Sequence, residues 1–350
     1  MSSSFWKGRS VFITGHTGFK GGWLSLWLTH LGAKVHGFSL DSTNKPGFYA
    51  ETNLQGLLES STIGDVRDLA LLTVSLERAQ PSLIIHMAAQ SLVIQGYKKP
   101  VDTFSTNLLG TVTTLEAARH VTSVKAIINV TTDKCYENTL GARPFGENDR
   151  LGGHDPYSSS KACAELATAA YRKSFLAEAG IQLASVRAGN VVGGGDWAMD
   201  RLIPDFLRAA DANQCLTVRF PAAVRPWQHV LEPLSGYLLL AENLLAKGGE
   251  FSDAWNFGPD DAGAKTVSWV ADFLCQKIPG ASWQADGSPR PHEDNVLKLD
   301  STKARIKLGW SPRWSLDTAL IKTVEWHQAW KARQRMCEIS IQQIEAYQNT

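Results

Sequence analysis

The chain has 350 residues, with 35 Lys plus Arg against 34 Asp plus Glu and a net charge of +1. No overall field therefore draws it to nucleic acid or to an anionic membrane, and any anionic ligand must be held by local donors. The length is enough to bury a large core without disulfides. The five cysteines (Cys135, Cys163, Cys215, Cys275, Cys337) are odd in number, widely spaced and free of any C-x-x-C pair, which predicts reduced thiols, no bound metal and a cytoplasmic protein. No apolar run reaches the length of a membrane span.

Ser10 to Thr14 is a short apolar run ending in glycines, and Phe19 to Leu31 then carries apolar residues at helical spacing, which predicts a strand, a tight turn and a helix. The turn reads Gly15-His16-Thr17-Gly18-Phe19-Lys20-Gly21. Glycines so placed permit positive φ, close approach to a pyrophosphate and tight helix-to-strand packing, while helix N–H groups face the anion. A dinucleotide cradle made by Gly15, Thr17, Gly18, Phe19, Lys20 and Gly21 is therefore expected. Lys34 to Leu40 reads as the second strand. Asp41 at its end stands where an acid holds the adenosine ribose hydroxyls and repels a 2′-phosphate, so NAD is expected over NADP. Asp65-Val66, closing a third apolar segment, either meets adenine through an acidic acceptor and a backbone group or leaves Asp65 as a solvated loop acid.

Ser82 to His86 reads as the next strand, and the small residues of Met87-Ala88-Ala89-Gln90 let the backbone approach the cofactor phosphates and ribose. Val101 to His120 is helical, and Ala126 to Thr131 is a buried-type strand; Asn107 and Thr131 are named as cofactor candidates. Thr132 follows at the C-terminal end, where α/β sheets hold their ligands. In the helix Tyr157 to Glu178, Tyr157 and Lys161 are four apart and share one face. A free phenol ionises at about pH 10, so Tyr157 serves as a base only if a neighbouring ammonium and a bound nicotinamide ring draw its pKa down. Ile181 to Arg187 is a further strand.

Strands alternating with helices imply an α/β fold with a doubly wound parallel sheet of Rossmann type, covered on both faces. After Arg187 the run Ala188 to Asp196 is glycine-rich and suits neither a regular helix nor a central strand. Residues 1–187 are expected to form the NAD-binding domain, rejoined by about 226–257, and 188–350 mainly a smaller C-terminal α/β domain that covers the substrate. Helices are expected at Val230 to Leu245 and Val267 to Gln276, and the longest loops at Asp41 to Tyr49 and Glu137 to Asp155.

These motifs resemble the extended short-chain dehydrogenase/reductase family, whose members carry Gly-x-x-Gly-x-x-Gly, a Ser or Thr, and Tyr-x-x-x-Lys. The resemblance implies that Thr132 hydrogen-bonds a sugar 4-hydroxyl, that Tyr157 takes its proton, and that Lys161 lowers the Tyr157 pKa and holds the nicotinamide ribose. Nucleotide-sugar 4,6-dehydratases of that family carry Thr-Asp-Glu, in which Asp protonates the departing 6-hydroxyl and Glu removes the C5 proton. Here Lys134 follows Thr132-Asp133. A lysine is a base only when neutral, and pairing with Asp133 would keep it charged. Either burial depresses its pKa, or it stays cationic and stabilises the enolate while another group or a water carries the proton.

Thr-Asp-Lys is similar to the form found in the CDP-glucose 4,6-dehydratase subfamily. His86-Met-Ala-Ala-Gln90, Arg187-Ala-Gly-Asn190, Gly193-Gly-Gly-Asp-Trp197, Arg225-Pro-Trp-Gln-His-Val230 and Trp255-Asn-Phe-Gly258 look like it too, so the resemblance spans nearly the whole chain. It implies NAD-dependent loss of water from CDP-D-glucose, an early step toward the deoxy sugars of bacterial O-antigen. It also implies a homodimer or homotetramer that pairs the helices Val101 to His120 and Tyr157 to Glu178. Arg201 and Arg225 are candidates for bidentate contacts to the substrate diphosphate. Gln90, Asn190, His229 and His292 are further substrate candidates, His292 closing the pocket from the second domain. Trp197 and Trp227 either stack on the base or pack in the core. The residues themselves leave open a nucleotide-sugar 4-epimerase, a dehydratase for another nucleotide, and a catalytically silent NAD-binding partner protein; cytosine rests on resemblance alone.

Overall fold

The computed structural model describes residues 3–41, 46–138, 143–286 and 297–350. Seven strands form its main sheet: β1 (Ser10–Thr14), β2 (Lys34–Ser39), β3 (Ser60–Ile63), β4 (Leu83–His86), β5 (Ala126–Val130), β6 (Gln182–Ala188) and β7 (Ala254–Phe257). Their spatial order is β7-β6-β5-β4-β1-β2-β3, and every neighbouring pair is parallel. Side chains alternate across a strand. Val11, Ile13, Leu83, Ile85 and Ile128 accordingly enter one buried cluster with Trp23, Trp27 and Tyr237, while Phe12, Ile84 and Ile127 enter another with Phe38, Leu72 and Leu115 on the opposite face.

Chain order reverses at β1, with β2 and β3 on one side and β4 to β7 on the other. Thr14 and His86, the last residues of β1 and β4, stand opposite each other in register. The crevice beyond these carboxyl ends is where a sheet of this kind binds ligands.

The helices that matter for the site are α1 (Phe19–His30), α2 (Leu69–Ala79), α3 (Gly110–Arg119) and α4 (Pro156–Tyr171). α4 begins where it does because the Asp155 carboxylate accepts from the Tyr157 and Ser158 N–H groups, Ser158 completes the capping box, and Pro156 occupies the first turn. This cap places Tyr157 in the opening turn. The uninterrupted helices expected at Val101 to His120 and Tyr157 to Glu178 each contain a π-turn instead, at Ser105–Leu109 and Arg172–Leu176. Such turns re-aim a side chain; the first holds Asn107, which is 1% exposed.

The segment expected to be apolar before Asp65 is an edge strand, β3, with two serines and a threonine, and Ile63 is 51% exposed. Within the glycine-rich run, Val191–Val192 pairs with Gln228–His229 outside the main sheet. Two further helices follow, α5 (Leu202–Asp211) and α6 (Leu231–Lys247). α6 and the helix Val267–Lys277 occupy the segments expected to be helical in the second half. Ile203, Phe206, Trp227, Val270 and Leu320 form a separate core there. Of the two expected long loops, the first contains a helical turn at Phe48–Glu51, and residues 42–45 and 139–142 lie outside the described residues.

Candidate active site

At the end of β1 the chain turns through Gly15 with φ +79°, a conformation that glycine holds without strain. A Cβ at Gly15 would stand 2.8 Å from the Ala88 N, and one at Gly21 would stand 2.1 Å from the Gly15 O. Both glycines are thus required by close backbone contact. No side chain caps α1 at Gly18, so its first-turn N–H groups are directed at the crevice. A passage free of side chains, floored by helix N–H donors, fits a dinucleotide diphosphate. Thr17 ties this loop to the end of β2 through Ser39 Oγ (2.8 Å) and the Leu40 carbonyl (3.1 Å), and Asp41 is exposed just beyond. Met87 and Ala88 donate N–H groups to Thr14 Oγ1 at 3.1 and 3.2 Å, which brings the loop through Ala89 against the glycine turn. The Phe19 ring faces Gly193 of the second half, where a Cβ would stand 3.2 Å from it.

The other cofactor-side candidates have partners of their own within the chain. The Asp65 carboxylate is held by Arg67 (Nη2 to Oδ2 2.6 Å), whose hydrogen bonds keep it below the usual carboxylate range. Val66 is 4% exposed and its side chain belongs to the core with Phe38 and Leu72. Gln90 is partly exposed and held by its neighbours. Its amide donates to Thr103 Oγ1 (2.9 Å) and accepts from the Leu92 N–H (2.6 Å), while Asn107 clamps its backbone on both sides (2.8 and 2.9 Å) and donates to Ser160 Oγ (2.8 Å). Gln90 and Asn107 therefore lock the loop to α4. Thr131 likewise points beneath the site, toward Glu165 and the Val186 carbonyl.

The catalytic candidates do converge. Thr132 caps a 3-10 turn, Asp133–Cys135, accepting from the Lys134 N–H at 3.4 Å and donating to Asp133 Oδ1 at 3.1 Å. Thr132, Asp133, Tyr157 and Lys161 are 6%, 3%, 8% and 4% exposed, and Lys134 is half-buried. Burial pushes the Tyr157 phenol up to about 12, against a lowering hydrogen bond from Thr132 and a lowering charge on Arg201. Lys161 is buried on the same helix. Its Nζ donates to the Val130 carbonyl at 3.0 Å, and burial draws its pKa down to about 8, opposed by Glu165 and Cys135.

Lys20, expected in the dinucleotide cradle, donates from Nζ to Tyr237 Oη at 3.1 Å. Burial first, then the nearby Lys161 and Arg201 cations, lower its pKa to about 7 against the pull of Asp133. It belongs to the catalytic cluster. Its place as the second residue of α1 gives no sign of that reach.

On the substrate side Arg201 stands at the start of α5, donating to Asp196 Oδ2 (2.8 Å) and across the crevice to Ser91 Oγ (2.9 Å). Asn190 is partly exposed on the loop above β6. Arg225 is 3% exposed and donates to the Val224 carbonyl at 3.0 Å. His229 is a correction: it is fully buried, boxed by Trp23 and Trp314 with ring centroids 6.1 and 4.9 Å away, and desolvation lowers its pKa to about 3. It packs the core. Trp227 is also core, its Nε1 donating to the Lys265 carbonyl. His292 lies outside the described residues. His86 is held by Thr14 and Thr114 hydroxyls. Among the described residues no group of three or more His, Cys, Asp or Glu side chains is placed to hold a metal ion, and no helix is long and apolar enough to cross a membrane. A cavity of about 300 Å³ lined by Gly193, Trp197, Trp326 and Trp330 contains none of the catalytic side chains.

Comparison with known proteins supplies names for similar chains. Residues 12–323 match the family described as GDP-mannose 4,6 dehydratase. The chain is 49% identical to a CDP-glucose 4,6-dehydratase of Salmonella typhimurium, over 99% of this chain and 98% of that protein. It is 27% identical to a dTDP-glucose 4,6-dehydratase of Xanthomonas campestris, over 91% and 93%. Among solved structures, a dTDP-glucose 4,6-dehydratase of Streptomyces venezuelae with NAD and TYD bound superposes with a TM-score of 0.80 at 24% identity, covering 93% of this chain and 99% of that one. A UDP-glucose 4-epimerase of Thermotoga maritima gives 0.79 at 22% identity, covering 92% and 99%. At these identities the structural likeness establishes the fold alone.

Proposed function

The chain belongs to the GDP-mannose 4,6 dehydratase family, and from that premise we propose that it is a hydro-lyase converting CDP-D-glucose to CDP-4-dehydro-6-deoxy-D-glucose with bound NAD. The observation that carries the chemistry is the convergence of Thr132, Asp133, Tyr157 and Lys161 in one buried cluster beside the glycine cradle. The 49% identical Salmonella relative supports cytidine as the nucleotide.

When bound, NAD supplies the redox chemistry, taking hydride from sugar C4 and returning it at C6. The chain's own residues do the rest. Thr132 Oγ1 orients the 4-hydroxyl and Tyr157 Oη takes its proton. A buried phenol with a pKa of about 12 holds its own proton at neutral pH, so cationic charge nearby, from Arg201 and Lys161, is needed to draw the value down and leave the phenolate that accepts the substrate proton. The ketone formed at C4 acidifies the C5 proton. Lys134 attends that carbon, as neutral acceptor or as a cation facing the enolate, and Asp133 protonates the departing 6-hydroxyl. Arg201 and Asn190 are the donors assigned to the diphosphate. The segments of 188–350 that lie outside the main sheet and its core supply the cover over the sugar.

The same reading extends to assembly and setting. Val101, Leu109, Leu166 and Phe175 are 81%, 54%, 60% and 44% exposed on the helices flanking the site, an apolar face suited to a second copy of the chain. The product feeds the deoxy sugars of bacterial surface polysaccharide, made in the cytoplasm. Incubating the NAD-loaded protein with CDP-, dTDP-, UDP- and GDP-glucose tests this directly. A product lighter by one water from CDP-glucose is expected. An unchanged mass rejects dehydration in favour of epimerisation, and a preference for dTDP-glucose removes the cytidine assignment.

A further inference from the structure

Beneath the catalytic turn lies a buried ion pair that the reaction above does not use. Glu165, one helical turn beyond Lys161 on α4, and Arg187, near the end of β6, are each 3% exposed. Arg187 Nη2 and Nε meet the two carboxylate oxygens at 2.8 and 2.9 Å. The same oxygens accept from the Thr131 and Ser185 hydroxyls. Burial alone would raise the Glu165 pKa, but the Arg187 charge and these hydrogen bonds hold it below the usual range, so the pair is ionised. Arg187 Nη1 continues to Tyr136 Oη (2.7 Å) and the Glu147 carbonyl (3.1 Å), and Tyr136 Oη donates to Asn256 Oδ1 on β7 (2.7 Å).

The attachments of this network are telling. Thr131 is the residue before Thr132, and Tyr136 is two residues after Lys134, so the network grips the Thr132-Asp133-Lys134 turn from both ends. Through α4 it also lies four residues from Lys161. Burying two charges costs desolvation that well-packed apolar residues would avoid, so stability gives little reason for the pair. A fully satisfied polar network does leave its attachments a single geometry.

We propose that Glu165 and Arg187 are positioning residues for the dehydration: they fix the Thr132-Asp133-Lys134 turn through Thr131 and Tyr136, and they set a carboxylate one turn behind Lys161. The inference rests on the reaction proposed above. The groups facing Lys161 are Tyr157 and Glu165 on its own helix, Cys135 on the turn, Lys20 on α1 and His86 on β4. Of these the Glu165 carboxylate is foremost in opposing the desolvation of the ammonium. Removing that charge makes Lys161 lose its proton at lower pH.

Steady-state turnover of CDP-glucose by the NAD-loaded enzyme, measured across neutral and alkaline pH and alongside Tm, tests the inference. Glu165→Gln is expected to lower kcat roughly 10²-fold with KM little changed, and to move the alkaline limb of the kcat profile toward acid. Glu165→Asp restores part of the rate. Tyr136→Phe, which keeps the ring and removes only the hydroxyl, is expected to lower kcat about tenfold without moving the alkaline limb. If Glu165→Gln does not fold, the paired replacement Glu165→Leu with Arg187→Met removes both charges together and takes its place. A folded Glu165 variant and a folded Tyr136→Phe that both keep wild-type kcat and pH profile overturn the inference. So does a loss of rate that only follows the loss of folded protein. Wild-type protein that releases no water overturns the reaction itself, a separate result.

Discussion

At the cofactor-facing wall of the crevice, geometry comes from atoms left out: Gly15 and Gly21 leave room for backbone at 2.8 and 2.1 Å from where a Cβ would be, and an uncapped helix end offers its N–H groups. At the sugar-facing wall, geometry comes from charges put in: Asp133, Tyr157 and Lys161 sit over the buried Glu165–Arg187 pair and beside Lys20 and Arg201. The contrast teaches where each wall is fragile. The first breaks when an atom is added, the second when a hydroxyl or a charge is taken away.

Replacing Tyr157 by Phe removes one oxygen from the sugar-facing wall and is expected to lower kcat roughly 10³-fold or more. Tm and NAD affinity, read by calorimetry and titration, should stay close to wild type. A variant with substantial turnover would show that the phenol is not the base. Gly15→Ala adds one carbon to the other wall at a positive φ. It is expected to weaken NAD binding by at least about tenfold while leaving kcat at saturating NAD within a few-fold of wild type. If kcat falls as far as affinity, the two walls do not act separately.

Each wall also hides neutral histidine. His16 is seated against Gly37, where a Cβ would meet its ring at 2.4 Å, and desolvation lowers its pKa to about 4; His86 and His229 are lowered to about 3 for the same reason. Once unfolded, these rings take a proton near pH 6.5. Their contribution to stability is therefore fully present above that pH and is lost as pH falls from there toward the folded values, by about 1.4 kcal/mol per pH unit for each ring. Tm should drop between about pH 7 and pH 5. His229→Phe should flatten that dependence, and an unchanged slope would mean that the buried ring is already protonated. The smallest effect is expected at Asp41→Asn, where the ratio of NAD to NADP affinity should fall by about tenfold or less.

The glycine wall was the more legible of the two in the sequence. Gly15, Gly18 and Gly21 are neighbours in the chain, and the strand and helix around them announce themselves by periodicity. Tyr157 and Lys161 were legible for the same local reason, being four apart on a capped helix. What escaped reading joins distant segments. Lys20 reaches Tyr237 across 217 residues, and Arg187 meets Glu165 across 22. His229 lies in a motif that suggests a ligand, yet Trp23 and Trp314 close over it. Gln90 and Asn107 hold each other across 17 residues, with Asn107 in a π-turn that no periodicity announces. Asp65 found an arginine two residues away.

Turnover of CDP-glucose carrying deuterium on C4, in excess unlabelled NAD, tests most directly whether one enclosed site removes hydride from one carbon and places it on another. The label should arrive in the methyl group of the product with none in the free dinucleotide. Label that passes into the free dinucleotide, or a methyl group that never receives it, would contradict a single site working through both walls.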